Sequence, residues 1–326
     1  MSHLGSQVFS IAVYSLTCLL GCFSNSLVVI AFCRNTAKQR FLANLDTVIL
    51  NKASVNLLLC LTKDLSSLLH CFINNLLSDI SCQICTYVIE VLRVLSLQSL
   101  ILLSFLYYIK IRRANYKCCV FRLNCRSRFP SIFLGILWLS SLLIHLPYLG
   151  YKVHVAEGEK MSKTVTSFIQ FANCMFDSDE NSDFIGLRFA VMAVDLCSMV
   201  GLILLSSSIV AFLWKHRWKV VPFQENVLAS RMWNRHTVQA TKIILIFLFL
   251  YLLCWVSSYI LWIIVWVQRY NSPLIQQAAL AVPSIYYSTS SFALVFGCKR
   301  VRDQLNCCVT SLSIKLSRGV STTSAT

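Results

Sequence analysis

A guanidinium and two carboxylates stand in stretches that are otherwise hydrocarbon. Glu90 and Arg93 are three residues apart within the apolar segment 84–109, so a helix sets them side by side on one face. Arg93 follows Cys85 by eight residues, a descent on the order of 12 Å at about 1.5 Å per residue. An unpaired charge at that depth in lipid costs roughly 3 kcal/mol or more, which turns Arg93 toward the interior of a helical bundle. Two readings follow. Arg93 contacts a ligand, in which case anionic or hydrogen-bond-accepting molecules such as small organic acids are expected and Arg93→Ala silences the response with surface expression intact. Alternatively, it pairs internally with Glu90 or another carboxylate and fixes packing. Asp195, about two turns into the segment 187–213, is a partner for Arg93 or a pocket group in its own right. Ser96 and Ser99 extend the polar stripe below Arg93, and Trp255, Tyr259 and Trp262 form an aromatic face that packs a core or lines a pocket. With Gln277 at the head of an unusually polar last segment, the candidate ligand-binding residues are Arg93, Ser96, Asp195, Tyr259 and Gln277.

The elements that hold these residues are seven apolar stretches, 8–33, 45–72, 84–109, 131–149, 187–213, 241–267 and 277–297, each long enough to cross a bilayer. Seven crossings put the two ends of the chain on opposite sides. Lys and Arg crowd the segments after the first, third and fifth stretches and the tail, whereas the other side carries only Lys152, Lys160, Lys163, Arg188 and Arg269. The positive-inside rule then faces residues 1–7 outward and residues 298–326 into the cytoplasm, with the membrane domain spanning 8–297. Residues 1–7 lack a basic region of the signal-peptide kind, so the first span is expected to serve as its own signal.

Within the spans, Asn25 is expected to bond a neighbouring helix. Lys63 and Asp64 mark either an inward-facing polar site or the outer end of the second span. Pro283 frees backbone carbonyls that nearby hydroxyls can satisfy, so the last span is expected to be kinked and inward-facing.

At 57% hydrophobic and 13% charged residues, the chain is too apolar for an ordinary soluble domain and too regularly patterned for a disordered one. The formal net charge of +16 sits in short loops bounding the spans, where topology and anionic lipid explain it better than nucleic acid does. No phosphate-binding glycine loop, metal-binding His/Cys cluster or zincin motif points to an enzyme, and no cofactor is implied. An odd number of spans without internal repeat argues against a transporter, and a channel would require several copies to build a pore. Of the sixteen cysteines, those placed to pair outside are Cys82 and Cys85 at the mouth of the third span and Cys174 in the loop before the fifth, with Cys71 a further contributor.

The second span reads Asp46-Thr-Val-Ile-Leu-Asn51, Val55-Asn56 and Leu61-Thr62-Lys63, which resembles the series found in vomeronasal type-1 receptors and their fish counterparts, the class A-related olfactory receptors. The third span is similar in placing Cys85, Arg93 and Ser99 at that family's spacing; Ala240 to Leu245 and Val256-Ser257-Ser258 also look familial. Ser291 departs from the pattern, standing where a proline is usual before the aromatic Phe292. Type-2 bitter taste receptors are the nearest competitor, through Leu103-Ser104-Phe105 with Tyr107 to Ile111, Leu213 to His216, and Ser291 to Leu294 with Gly297.

The resemblance implies an all-α, seven-transmembrane helix bundle of the rhodopsin-like G-protein-coupled kind. It implies a disulfide between Cys85 and Cys174 and, because bitter receptors typically lack that bridge, favours the pheromone and odorant type over the bitter type. The function implied is a plasma-membrane chemosensory receptor, not an enzyme. A small external odorant or pheromone would be its ligand and a heterotrimeric G protein its inner partner, met by Lys110, Arg112 and Arg113.

Overall fold

The structure, a computed structural model, describes residues 2–38, 44–73, 78–115, 129–150, 182–220, 245–261 and 273–297, three short strands between 153 and 176, and a few positions beyond. Helix α1 covers Ser2–Lys38. The second span is one rod in three pieces, α2 (Asn44–Leu59), a π-helical turn (Cys60–Asp64) and α3 (Leu65–His70). It is followed by α4 (Asp79–Asn115) and by α5 (Phe129–His145), which tightens into a 3-10 turn over Leu146–Leu149. Helices α6 (Ser182–Val220), α7 (Leu245–Leu261) and α8 (Pro273–Gly297) complete the bundle. Among the described residues six helices are long and apolar enough to cross a membrane, and α7 is a shorter apolar one, so the seven-helix bundle expected from the sequence stands.

Helix α4 is the most enclosed span, packed against α2, α5 and α6, whereas α5 and α6 turn most of their apolar surface outward. Leu139, Leu143 and Leu204 are among those outward residues, as lipid-facing positions should be. The start of α4 is set locally: Ser78 accepts the backbone N–H of Ser81 on its hydroxyl at 3.3 Å, which caps the first turn.

Helices α1 and α8 approach closely because position 21 has no side chain. A Cβ on Gly21 would lie 2.4 Å from Cys60 Sγ and 3.2 Å from Ser288 Cβ. Small residues at such a crossing let backbones meet, and polar side chains then bond across it. Asn25 fills the role expected of it, donating to the Tyr287 carbonyl at 3.3 Å and accepting from Ser291, while Ser24 donates to the Ser288 carbonyl at 3.1 Å.

Pro283 lies inside an unbroken α8. Its missing N–H leaves the Ala279 carbonyl without a helical donor, and Ser258 of α7 supplies one at 2.9 Å. One residue on, the Leu280 carbonyl accepts from Lys63 Nζ at 2.8 Å. Lys63 and Asp64 are therefore inward-facing, the second donating pair being the Ser284 hydroxyl to Asp64 Oδ1 at 2.6 Å.

The segment between α5 and α6 holds a small antiparallel sheet that the sequence did not announce: β1 (Val153–Val155), β2 (Phe168–Phe171) and β3 (Cys174–Phe176), with β3 in the middle. Cys174 pairs with Val155 of β1 on one side and with Phe171 of β2 on the other. The expected bridge needs correction here, because Cys174 is bonded to Cys82 and not to Cys85, which is a free thiol. The physical reason is the early start of α4. Since the helix begins at Asp79, Cys82 already sits on its first turns, level with β3 and 5.8 Å from Cys174 between Cα atoms. Cys85 is about 4.5 Å further down the axis.

A buried ionic centre as candidate ligand site

Three helices converge on Arg93 beneath the sheet-capped end of the bundle. From α4, Arg93 donates through Nε to Glu90 Oε2 at 2.7 Å, the pairing its i, i+3 spacing predicts. From α6, Asp195 Oδ2 accepts from Arg93 Nη1. From α7, the Trp255 ring lies under the guanidinium with 5.0 Å between carbon and centroid, and Tyr259 donates its hydroxyl to Asp195 Oδ2 at 3.0 Å. Glu90 and Asp195 are buried. A planar fork that reaches two carboxylates and stacks on an indole is a use of arginine that lysine cannot copy.

A second polar layer lies deeper. Lys52 of α2 donates to the Tyr286 hydroxyl at 2.9 Å and reaches the Ser96 carbonyl and hydroxyl at 3.4 Å each. Its ammonium also stands 4.9 Å from the Tyr286 ring centroid and 5.6 Å from that of Phe247. Ser96 donates its hydroxyl to Asn56 Oδ1 at 2.6 Å, and Asn56 donates to Ser290 at 2.7 Å, so α2, α4 and α8 are joined through one chain of bonds. On the other flank Trp138 of α5 donates to Asn51, and Asn51 to Ser99, at 3.0 and 2.9 Å.

Of the five candidate ligand residues, Arg93, Asp195 and Tyr259 are brought together directly. Ser96 belongs to the deeper layer, and Gln277 is half-buried on the first turns of α8 with no hydrogen bond to the described members of the centre. Of the two readings left open for Arg93, the internal pairing is the one present, with Glu90 and Asp195 as its partners. Two carboxylates already engage its guanidinium.

Trp255 was legible only as part of an aromatic face, and its central place follows from contacts between helices that no local spacing encodes. Lys52 and Asn56, four apart in an apolar stretch, carried the spacing signal of one inward face. Lys110, Arg112 and Arg113 ride on the last turns of α4, and their side chains lie outside the described residues, as does the basic segment 221–244. Among the described residues no group of three or more His, Cys, Asp or Glu side chains is placed to hold a metal ion.

The bundle and its interior can be set beside known proteins. Olfactory receptor class A-like protein 1 of Danio rerio is 22% identical over 293 residues, covering 88% of this chain and 89% of its own length. The family of taste receptor proteins (TAS2R) matches residues 1–313, which is the group that sequence reading held in second place. Two features had ranked the other group first, the second-span series through Val55-Asn56 and Lys63 and a bridge counted from Cys85; the bridging cysteine is Cys82. Both kinships are chemosensory, and a match over nearly all of a chain with this many membrane-spanning helices fixes its class: it belongs to the taste receptor (TAS2R) family of multi-pass G-protein-coupled receptors.

Proposed function

We propose that this receptor sits in the plasma membrane with its N-terminus and the disulfide-anchored sheet outside. In this reading it senses bitter-type tastants in the outer half of the bundle. The observation that carries the reading is the Arg93, Asp195 and Tyr259 junction, in which α4, α6 and α7 meet through charged and hydroxyl groups buried beneath the sheet. A ligand that binds there and engages one partner differently in two arrangements shifts the equilibrium between them. Arg93, Ser96, Asp195, Tyr259 and Gln277 are the residues assigned to this role. On the cytoplasmic side Lys110, Arg112 and Arg113, with the basic segment before α7, meet a heterotrimeric G protein. The excess of Lys and Arg on that side supports the orientation. The protein's work is then signalling rather than catalysis or transport.

Second-messenger release in transfected cells, screened against bitter compounds, odorant acids, amines and steroids, tests this reading. A ligand-dependent response that Tyr259→Phe shifts in dose, with surface expression kept, is the expected result. A ligand-gated current or substrate uptake without second messenger would refute it. A second reading, a pheromone or odorant receptor of the vomeronasal type-1 kind, is favoured by the Cys82–Cys174 bridge and by the kinship with the fish olfactory receptor. Responses confined to odorants in the same screen select it.

A further inference from the structure

Among the described residues the ionic centre holds more carboxylates than cations. Glu90 and Asp195 bring two negative charges to the single positive charge of Arg93. Lys63 and Asp64, the neighbouring pair on the second span, contribute one of each sign. Lys52 is engaged by neutral groups in the deeper layer. A buried excess of charge is costly in low dielectric and is resolved by a proton or by a bound cation.

Asp195 shows where a cation would be received. Arg93 and Tyr259 both donate to Oδ2, whereas Oδ1 is buried with no hydrogen-bond partner among the described residues. The indole Nε1–H of Trp255, whose ring is centred 5.0 Å from the Arg93 guanidinium carbon, is likewise buried without an acceptor among the described residues. One bare acceptor on a carboxylate and one bare donor on an indole, grouped around the same guanidinium, make a complementary pair of sockets. Native proteins seldom leave such atoms unpaired without cause. The ring of Tyr259, centred 5.8 Å from that of Trp255, adds an aromatic wall.

Resting on the receptor reading above, we infer that the centre binds a protonated arylalkyl amine, its ammonium donating to Asp195 Oδ1 and an acceptor group of the ligand taking the Trp255 Nε1–H. Binding brings the local count to two charges of each sign and fills both sockets at once. Acidic ligands meet the opposite arrangement, since they would add a third negative charge around one guanidinium.

The test uses the full-length receptor in lipid nanodiscs and three probes of matched shape: phenethylamine, 2-phenylethanol and phenylacetate, extended to larger arylalkyl amines with their alcohol and carboxylate analogues. Thermal melting is the readout. Amines are expected to raise the melting temperature in a saturable way, and their matched carboxylates are not. Asp195→Asn should weaken amine binding about tenfold or more, the loss typical of a charge-assisted bond, and Asp195→Glu should recover part of it. Asp195→Asn leaves Arg93 and Glu90 balanced one to one, so the variant keeps its reason to fold. Trp255→Phe should cost affinity only for amines that carry a carbonyl or ether acceptor.

Carboxylates that stabilise the receptor better than the amines, no stabilisation by any amine, or amine binding unchanged in Asp195→Asn would each overturn the inference. Should Asp195→Asn fail to reach the membrane, the order of the probes on the unmodified receptor still decides. Cellular signalling to acids or neutral compounds with no amine binding sinks this inference and leaves the receptor reading standing. Amine binding with no second messenger does the reverse.

Discussion

Arg93→Ala removes two ion pairs and an indole contact in one step. The carboxylates of Glu90 and Asp195 are then left buried with their cation gone, and breaking one buried pair from one side costs about 3–5 kcal/mol. At about 2–3 °C per kcal/mol for a chain of this size, the melting temperature should fall by roughly 6–15 °C. Arg93→Lys keeps the charge but has one ammonium for two directions, Nε toward Glu90 and Nη1 toward Asp195, so its loss should fall between those of the parent and the alanine variant. Adding Asp195→Asn to Arg93→Ala removes one orphaned charge, and the double variant should regain about 1–3 kcal/mol relative to simple addition. Purified receptor melted in detergent, with surface expression counted in parallel, reads all three. Surface expression of Arg93→Ala should drop together with any response. A variant that melts and traffics like the parent would refute the idea that this guanidinium binds α4 to α6 and α7.

Cys82→Ser should free Cys174 for thiol labelling on intact cells, while Cys85→Ser leaves the bridge and the labelling pattern as they were. Gly21→Ala puts a methyl group against Cys60 Sγ at 2.4 Å, and an overpacking cost of about 1–3 kcal/mol is expected in a melt. Pairing it with Cys60→Ala should return part of that loss. Ser258→Ala strips the Ala279 carbonyl of its donor beside Pro283 and should lower stability by about 0.6–1.7 kcal/mol, the range of single bonds between membrane helices; an unchanged melting curve would dismiss the bond.

The spans were readable because lipid demands long apolar runs, and the charges within them were readable as inward-facing because the alternative is too costly. The same reasoning found Glu90 with Arg93, proposed Asp195 as the partner, and expected a hydroxyl at a carbonyl released by Pro283, though the one that serves Ala279 is Ser258 of the neighbouring α7 and not a residue of the last span. Choosing between Cys82 and Cys85 required knowing where α4 starts, which a capping serine decides a few residues outside the apolar run. The sheet around Cys174 is built from three strands of three or four residues, too short for an alternating pattern to stand out. Trp255 reached the centre through the way α7 leans on α4 and α6, and that relation belongs to tertiary packing rather than to any window of sequence.

The wide turn at Cys60–Asp64 holds one more residue than an α-helix of equal height, so everything beyond it is rotated by about 100° from where a straight rod would carry it. The turn acts as a register offset written into the second span. A kindred sequence that runs straight there falls one step out of phase after Leu59, and matching the two letter by letter assigns the positions of Lys63 and Asp64 to side chains that face elsewhere. Deleting a single residue between Cys60 and Asp64 is accordingly the shortest change that would swing this ionisable pair away from Leu280 and Ser284.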